Sequence, residues 1–406
     1  MTKANSSAPH RPADRLSGIA LSEIVQVSER ARQMRAEGRD VIALSTGEPD
    51  FPTPPEVIEA AHKAALSGQT RYTPTAGTPE LRAEIAQQSG TAPANVIVST
   101  GAKQVLANTM LATLNPGDEV IMPAPFWTSY ADMVRMAGGT PVVLPCPLSQ
   151  GFKLTPEQLA DAITPNTRWL MLNSPSNPSG AIYTAGEYAQ LADILAAHPH
   201  VWIVADEIYE HLSYTPFTSF AEAAPQLRDR ALIVNGVSKA WSMTGWRIGW
   251  GIGPAELIRD MTAVQGQTTS GAPSVSQAAA LAALQSDRQI VEDRRATFLA
   301  RRDATIDGLN AIPGLTCPAP DGAFYAFPDC SALIETRFDN DAALCQWLLE
   351  ETGVALVPGR AFGMPGHVRL SFAYAESQIR EALARMKTAI DRLTSTPAPA
   401  FAGHSG

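Results

Sequence analysis

The amino-acid sequence predicts an α/β fold in which a mainly parallel sheet is covered by helices on both faces and is followed by a smaller α+β domain. Between residues 95 and 234, short runs rich in valine and isoleucine alternate with helical segments, and these runs are apolar at consecutive positions. Strands of this kind are buried on both faces, which is typical of parallel sheets. In the last third, long helical stretches at 278–309 and 341–352 are separated by short strands at 324–327 and 367–372.

The segments before the sheet are predicted from hydrophobic spacing and turn residues. Apolar residues at steps of two to four predict an amphipathic helix within Leu16–Gly38. A short strand at Val41–Leu44 leads into the Gly/Pro turn Ser45–Phe51, where the backbone can approach a ligand closely. A helix is predicted at Glu56–Ser67, and Pro79 opens the next helix after a long loop.

Six apolar runs supply the first candidate strands of the sheet. They lie at 96–98, 120–122, 142–144, 169–172, 201–205 and 231–234. The predicted domain boundaries follow the changes in pattern: a disordered tail at 1–13, an amino-terminal segment at 14–47 that packs with the small domain, a large cofactor-binding domain at 48–283, a small carboxy-terminal domain at 284–393 and a disordered tail at 394–406.

Composition excludes several classes of partner. The chain of 406 residues has 31 basic and 40 acidic side chains, so its net charge is −9, and neither nucleic acid nor an anionic membrane is an expected partner. The first residues lack the apolar segment of a signal peptide, and no run approaches the roughly 18 apolar residues of a membrane span. The four cysteines show no C-x-x-C spacing, so we expect reduced thiols in a cytoplasmic protein and no metal site.

Functional side chains cluster where the predicted strands end. In an open parallel sheet, ligands bind at the carboxyl ends of the strands. Five strands end in residues of interest, namely 100–103, 126–127, 173–180, 206–209 and 238–239.

Lys239 is the strongest candidate among them. It follows the apolar run 231–234 and the turn Asn235-Gly236, which places a lone lysine at the end of a buried strand. Burial lowers the pKa of a lysine and makes its amine a nucleophile for carbonyl groups. We therefore hypothesise that Lys239 holds pyridoxal phosphate as a Schiff base; the alternative is a surface lysine on a loop.

A phosphate site is predicted beside this lysine. The small residues of 99–102 indicate a helix start with free N–H groups, which favours an anion. Ser238 and Arg247 could add a hydroxyl and a guanidinium to the same phosphate. The alternative is plain capping of the helix by Ser99 or Thr100.

Three further strand ends offer groups for an aromatic cofactor. Asp206 follows five apolar residues, and its carboxylate could accept from a pyridinium N–H; the alternatives are a helix cap or a salt bridge. Tyr209 and Asn177 could donate to a phenolic oxygen, although an asparagine before proline is often only a turn residue. Trp127 could stack on the ring or simply be a core residue.

These motifs together resemble the class I and II aminotransferases of PLP fold type I, whose large domain has a seven-stranded sheet. The resemblance covers about residues 14 to 392 in family order. It is carried by NSPSNPSG at 173–180, DEIY at 206–209, SK at 238–239 with GWRIG at 245–249, GEPDF at 47–51, RYTPTAGTPELR at 71–82, STGAKQ at 99–104, NPGDEV at 115–120 and HVRLSF at 367–372.

The resemblance implies a role for each matching residue. Lys239 would bind the cofactor and move the proton, Asp206 would pair with the ring nitrogen, Asn177 and Tyr209 would hold the phenolic oxygen, and Trp127 would stack on the ring. The residues implied for the phosphate are Gly101, Ala102, Lys103, Ser238, Arg247 and Tyr72 of the partner in a homodimer. Arg369 would grip the substrate α-carboxylate, helped by the Gly47 backbone.

The substrate is predicted from the branch of the family that the motifs resemble. GEPDF with STGAKQ is most similar to bacterial aspartate aminotransferases, which implies L-aspartate and 2-oxoglutarate as the amino acid and 2-oxo acid. The resemblance also implies that Lys103 can reach the distal carboxylate; the alternative is that Lys103 is an ordinary solvated helix residue. The segment 18–24 departs from that branch, because Ala20 and Ile24 supply no donor and Glu23 would repel a second carboxylate if it faced the pocket.

Other activities therefore stay open at this point. They are an aminotransferase for aromatic, prephenate-type or neutral amino acids, a PLP-dependent lyase on the same fold, and a regulator that keeps the fold without catalysis.

Overall fold

The computed structural model describes residues 10–16, 18–19 and 22–396. Most of the predicted tails 1–13 and 394–406, and Ala20 in the amino-terminal segment, lie outside these residues. The strands are β1 Ile42–Ala43, β2 Val96–Thr100, β3 Glu119–Ala124, β4 Thr140–Pro145, β5 Thr167–Asn173, β6 Trp202–Asp206, β7 Ala231–Gly236, β8 Ile248–Ile252, β9 Tyr325–Ala326, β10 Val354–Ala355, β11 Val357–Pro358 and β12 Val368–Ser371.

Helices cover both faces of the large sheet and form most of the last third of the chain. They are α1 Glu23–Ala36, α2 Pro55–Leu66, α3 Pro79–Gln88, α4 Ala102–Thr113, α5 Ser129–Met136, α6 Pro156–Ala162, α7 Ala185–Ala196, α8 Phe220–Ala223, α9 Ala255–Thr268, α10 Ser274–Gln285, α11 Gln289–Asn310, α12 Ser331–Arg337, α13 Asp341–Thr352 and α14 Glu376–Ser395. Proline opens α2, α3 and α6, as its missing N–H and fixed φ favour.

Seven strands form the large sheet in the order β2-β8-β7-β6-β5-β3-β4, which confirms the predicted architecture. All neighbours are parallel except those of β8, which runs antiparallel to both β2 and β7. The central strands are buried along their length because their side chains face helices on both sides. The carboxyl ends of β2, β3, β5, β6 and β7 therefore share one edge with the start of β8.

The last third contains two small sheets instead of a continuation of the large one. Strands β11, β12 and β9 form an antiparallel sheet, and β1 pairs in parallel with β10. Through this pairing the amino-terminal segment contacts the last third of the chain, and Ala31 and Met34 of α1 pack against Leu349 and Ala355.

One helix and two boundaries differ from the predicted ones. The stretch 278–309 is divided between α10 and α11, because Ser286 is extended and the Asp287 side chain accepts from the Gln289 N–H, which starts a new helix. The predicted domain boundary at 283 and 284 lies inside α10, so we propose that the division follows Gln285. Helix α14 ends at Ser395, just beyond the predicted start of the tail at Thr394.

Within the described residues, no helix combines the length and the apolar character that a membrane span requires.

Candidate active site

A cleft of about 270 Å³ lies at the shared edge of the large sheet, beside the small domain. It is lined by all of the predicted site residues except Gly101 and Tyr72, that is by Gly47, Ala102, Lys103, Trp127, Asn177, Asp206, Tyr209, Ser238, Lys239, Arg247 and Arg369. Residues more than 300 positions apart in the sequence thus meet in one site.

Lys239 lies inside the cleft and is not a surface lysine. Its Nζ donates a hydrogen bond of 2.9 Å to the carbonyl oxygen of Gly47. Burial, with the charges of Arg247 and Arg369, lowers the pKa of Lys239 to about 8, although Glu48 and Asp206 oppose the shift. About a tenth of the amine is therefore neutral at pH 7, and about half at pH 8.

Arg247 reaches the same edge because β8 is antiparallel. The pair Thr100 and Ile248 in the register of β2 and β8 places Arg247 beside Gly101. Gly101 has φ +82°, and a Cβ atom built there would lie 2.5 Å from Nη2 of Arg247. Only glycine leaves room for the guanidinium at this point.

The start of α4 has the geometry expected of the predicted anion site, with one difference. Gly101 is the amino-terminal cap, and no side chain caps the helix, so Ser99 and Thr100 do not have the alternative role. The Gly101 N–H donates to the Ser99 carbonyl, so Gly101 contributes space and the N–H groups of Ala102 and Lys103 supply the helix dipole's positive end.

Asp206 is buried, with 4% of its surface exposed, at the end of β6. Its Oδ2 accepts a hydrogen bond of 2.7 Å from the Tyr130 hydroxyl, and its Oδ1 accepts one of 3.2 Å from the Ile208 N–H. Burial raises the pKa of Asp206 to about 6, although these hydrogen bonds and Lys239 lower it. The carboxylate forms no salt bridge within the described residues, and it faces the cleft.

Arg369 extends from β12 into the floor of the cleft and is 1% exposed. Its Nη1 donates to Oδ1 of Asn177 at 2.9 Å, and its Nη2 donates to the Ser45 carbonyl at 2.6 Å. The guanidinium lies 4.6 Å from the ring centroid of Tyr325. Its buried Nε finds no hydrogen-bond partner among the described residues, which leaves a donor for a ligand.

Tyr209, like Asn177, lines the cleft. Its hydroxyl forms a hydrogen bond of 2.8 Å with the hydroxyl of Tyr325, and the Lys239 Nζ lies 5.9 Å from its ring centroid. Burial raises the pKa of Tyr209 well above its ordinary value, so its hydroxyl stays protonated and can donate.

Lys103 and Trp127 form the outer part of the cleft. The Lys103 ammonium lies 4.7 Å from the Trp127 ring centroid, which is a cation–π contact. The pKa of Lys103 is lowered by partial burial of the ammonium and by the charge of Arg247. Lys103 is thus more than a solvated helix residue.

The amino-terminal segment also reaches the cleft. Ile24, in the first turn of α1, is one of its lining residues. Glu23 points instead to Arg360, whose Nε lies 3.0 Å from Oε1 of Glu23. The expected repulsion of a second carboxylate by Glu23 is therefore offset by this ion pair.

Tyr72 is the one predicted residue that lies apart. Its side chain is 97% exposed in a separate surface hollow with Arg71, Thr269 and Gly271. A role at the phosphate requires that a second chain bring it there.

Sequence reasoning missed several lining residues, namely Leu106, Tyr130, Asn173, Ile208, Thr244 and Tyr325. Tyr130 had a usable signal, because it follows Trp127 by three residues, which is close to one helical turn. Tyr325 had none, because only the tertiary fold brings β9 to this edge.

The chain is similar over most of its length to known proteins. Residues 39–386 match the family described as "Aminotransferase class I and II". An aspartate aminotransferase of Rhizobium meliloti is 48% identical over 401 residues, which are 95% of this chain and 98% of that protein. An aspartate/prephenate aminotransferase of Cereibacter sphaeroides is 49% identical over 389 residues, which are 92% and 97% of the two chains.

A solved structure of the aspartate aminotransferase of Thermus thermophilus with maleate superimposes with a TM-score of 0.89 at 41% identity, covering 94% of this chain and all of that one. Fold and site define a pyridoxal-phosphate-dependent transferase of fold type I. The chain belongs to the class I and II aminotransferases, and it is a transaminase.

The cleft fits pyridoxal 5′-phosphate on its own chemistry. It presents a buried amine for the aldehyde, a buried carboxylate for the ring nitrogen, and an anion site at α4 with a guanidinium beside it. The missing Cβ of Gly101 lets the Arg247 guanidinium lie against the start of α4, where the helix N–H groups favour a phosphate.

Proposed function

We propose that this enzyme transfers the amino group of L-aspartate to 2-oxoglutarate by a ping-pong mechanism. The observation that carries the proposal is the buried, partly unpartnered guanidinium of Arg369 in the same cleft as the Lys103 ammonium. Two cationic groups suit a substrate that carries two carboxylates. The two relatives described above are named as an aspartate aminotransferase and an aspartate/prephenate aminotransferase.

The cofactor would be held by residues of five strand ends. Asp206 would accept from the ring N–H, Asn177 and Tyr209 would donate to the phenolic oxygen, and Trp127 would stack on the ring. The phosphate would be bound by Ala102 and Lys103 at the start of α4, by Ser238 and by Arg247. When bound, the cofactor supplies an aldehyde that reacts with amines and a ring that withdraws electrons from the substrate Cα.

Lys239 would act as the proton carrier of the reaction. Its neutral Nζ would take the proton from the substrate Cα, and the ammonium so formed would deliver a proton within the same half-reaction to the cofactor carbon that keeps the amino group, so that Lys239 serves as both base and acid of the 1,3-proton shift. The hydrogen bond to the Gly47 carbonyl orients the amine, and the lowered pKa makes the neutral form available.

Arg369 would fix the substrate by its α-carboxylate. The Arg369 side chain is buried, and its guanidinium lies over the Tyr325 ring, so it has little rotational freedom. It therefore presents its remaining donors in one orientation. The distal carboxylate would lie toward Lys103, and Glu23 does not oppose it because Arg360 neutralises that side chain.

We further infer a homodimer in which Tyr72 of one chain completes the phosphate site of the other. A tyrosine that is 97% exposed in the single chain is unusual, and burial against a second chain would account for it. Sedimentation velocity should give a dimer, and Tyr72→Phe should weaken cofactor binding without changing the sedimentation coefficient. A monomeric holoenzyme would refute this inference.

Lys239→Ala tests the central assignment. We expect kcat for aspartate with 2-oxoglutarate to fall by about 10²–10⁴-fold, as for loss of a general base, and the pH-sensitive absorbance of the lysine-bound cofactor to disappear. Lys63→Ala, which changes an exposed lysine of α2, is the matched control and should behave like the native enzyme. Native activity or native absorbance in Lys239→Ala would refute the assignment.

A second candidate, a prephenate-type acceptor, is favoured by the apolar side chains of Ile24 and Leu106 in the cleft. The relative from Cereibacter sphaeroides carries both substrates in its name. Assay of aspartate against 2-oxoglutarate, pyruvate and prephenate separates the two candidates by kcat/KM. A preference for prephenate over 2-oxoglutarate would replace the leading pair.

A further inference from the structure

Tyr130 contacts the predicted catalytic residue Asp206, and the sequence analysis assigned no role to Tyr130. It lies in the first turn of α5, is 2% exposed, and donates a hydrogen bond of 2.7 Å to Oδ2 of Asp206. The direction of this bond is fixed, because an ionised carboxylate only accepts. The pKa of Tyr130 is raised well above its ordinary value, first by burial, so the hydroxyl keeps its proton.

We propose that Tyr130 is a positioning residue that keeps Asp206 ionised and directs its carboxylate toward the ring nitrogen of the cofactor. The inference rests on the proposed role of Asp206 and deepens it. Tyr130 also contacts Trp127, the residue predicted to stack on the cofactor ring. The Tyr130 backbone N–H donates to the Trp127 carbonyl, and the two rings meet edge to face with centroids 5.5 Å apart. One side chain thus links the aspartate and the tryptophan.

The groups around Asp206 show why the hydrogen bond from Tyr130 matters for the charge of this carboxylate. Lys239, on the turn after β7, is the cation that acts on Asp206, and Tyr209, on the segment after β6, is the other titratable group that couples to it. Inside the cleft the Lys239 amine is engaged by the Gly47 carbonyl at 2.9 Å. The close hydrogen bonds on the carboxylate come from Tyr130 and from the Ile208 N–H, and that of Tyr130 is the shorter.

Removal of the hydroxyl should make the carboxylate easier to protonate. A buried carboxylate that loses a donor has a higher pKa, and one unit corresponds to about a tenfold change in the ratio of its two forms. A neutral Asp206 cannot balance a protonated ring nitrogen. The defect should therefore be greatest at acid pH and should fade where both proteins have Asp206 ionised.

The test is the dissociation constant of pyridoxal 5′-phosphate from the full-length apoenzyme, measured by equilibrium dialysis for the native chain and Tyr130→Phe. We expect Tyr130→Phe to raise the dissociation constant about tenfold near pH 6 and to approach the native value near pH 9. Circular dichroism and thermal unfolding of the apoenzymes establish that both are folded. General destabilisation would not produce this dependence on pH.

Tyr183→Phe is the matched control. Its hydroxyl is also buried and makes one hydrogen bond, accepting from the Leu154 N–H at 2.7 Å, but Tyr183 does not line the cleft. We expect lower thermal stability and an unchanged dissociation constant at both pH values.

Asp206→Asn, alone and combined with Tyr130→Phe, separates the role of Tyr130 from that of Asp206. If Tyr130 acts through Asp206, the Tyr130→Phe defect disappears in the Asp206→Asn background. If Asp206→Asn weakens binding while Tyr130→Phe has no effect, or has the same effect at both pH values or in both backgrounds, the role of Tyr130 is refuted and that of Asp206 stands. If Asp206→Asn binds the cofactor like the native chain, both roles are refuted.

Discussion

Nη1 of Arg369 donates a hydrogen bond of 2.9 Å to Oδ1 of Asn177, although 192 positions separate the two residues. One of them is predicted to hold the substrate and the other the cofactor. The contact joins β12 of the small domain to the loop that follows β5 in the large domain. A change at either residue is therefore expected to affect the geometry of both ligands.

Arg369→Ala should reduce kcat/KM for aspartate by about 2–5 kcal/mol of transition-state binding, because it leaves the substrate carboxylate unpaired in a buried site. Steady-state kinetics of the purified holoenzyme measures the loss. Arg369→Lys keeps the charge but not the planar fork, so its loss should be intermediate. A kcat/KM equal to the native value in Arg369→Ala would remove this residue from the substrate site.

Gly101→Ala should weaken cofactor binding, because the new Cβ would displace the guanidinium of Arg247. Gly68→Ala is a close control: Gly68 has φ +81°, but its Cβ would meet nothing within 4 Å. Both variants should lose about 1 kcal/mol of unfolding free energy through the strained backbone. Only Gly101→Ala should raise the dissociation constant of pyridoxal phosphate, and equal constants for the two variants would contradict the phosphate assignment.

Glu207→Gln should change how stability depends on pH. Burial, with the nearby charge of Glu210, raises the pKa of Glu207 to about 8, although hydrogen bonds from the Phe220 N–H and the Ser219 hydroxyl oppose the shift. The folded chain thus binds this proton more tightly than the unfolded chain. The resulting stability is complete below the ordinary glutamate pKa and is lost as pH rises through about 8.

Urea unfolding at a series of pH values measures this effect. Between the two pKa values, the native apoenzyme should lose up to about 1.4 kcal/mol per pH unit through Glu207, a slope that Glu207→Gln lacks. Glu157→Gln, at an exposed glutamate of α6, should keep the native slope. Identical slopes for the native chain and Glu207→Gln would show that Glu207 does not titrate in this range.

Lys103→Met should alter substrate preference more than overall catalysis. The loss of a cation beside the cleft should lower kcat/KM for aspartate by about 10- to 100-fold, as for a hydrogen bond to a charged group. Alanine, which has no distal carboxylate, serves as the internal control and should lose much less. An unchanged ratio of kcat/KM for aspartate and alanine would exclude Lys103 from the recognition of the distal carboxylate.

Six of the seven strands of the large sheet, all but the antiparallel β8, were predictable from the sequence, because consecutive apolar residues mark buried strands. The meeting of their ends was predictable because parallel strands end at one common edge. The contact of Tyr130 with Asp206 was not, since the direction of a helix face depends on how α5 packs. Strand β9 is shorter than the strand predicted at 324–327, and the two-residue strands β10 and β11 were not predicted, because tertiary contacts, and not local propensity, set these strands.

Contacts between side chains far apart in the sequence were the least accessible to prediction. The pairing of Glu23 with Arg360 spans 337 positions, and nothing near either residue in the sequence indicates it. The spatial separation of Ile24 from Glu23, which bears directly on substrate choice, likewise required the fold.

The antiparallel placement of β8 restricts which insertions and deletions this enzyme can tolerate. Residues 237–247 connect two paired neighbouring strands and carry Ser238 and Lys239 at one end and Arg247 at the other. Their composition can drift, but an insertion or deletion would shift Arg247 relative to Gly101 or turn Lys239 away from Gly47. Loop-length engineering, tags and new chain termini therefore belong at open turns such as that at Gly68, and not in this connection.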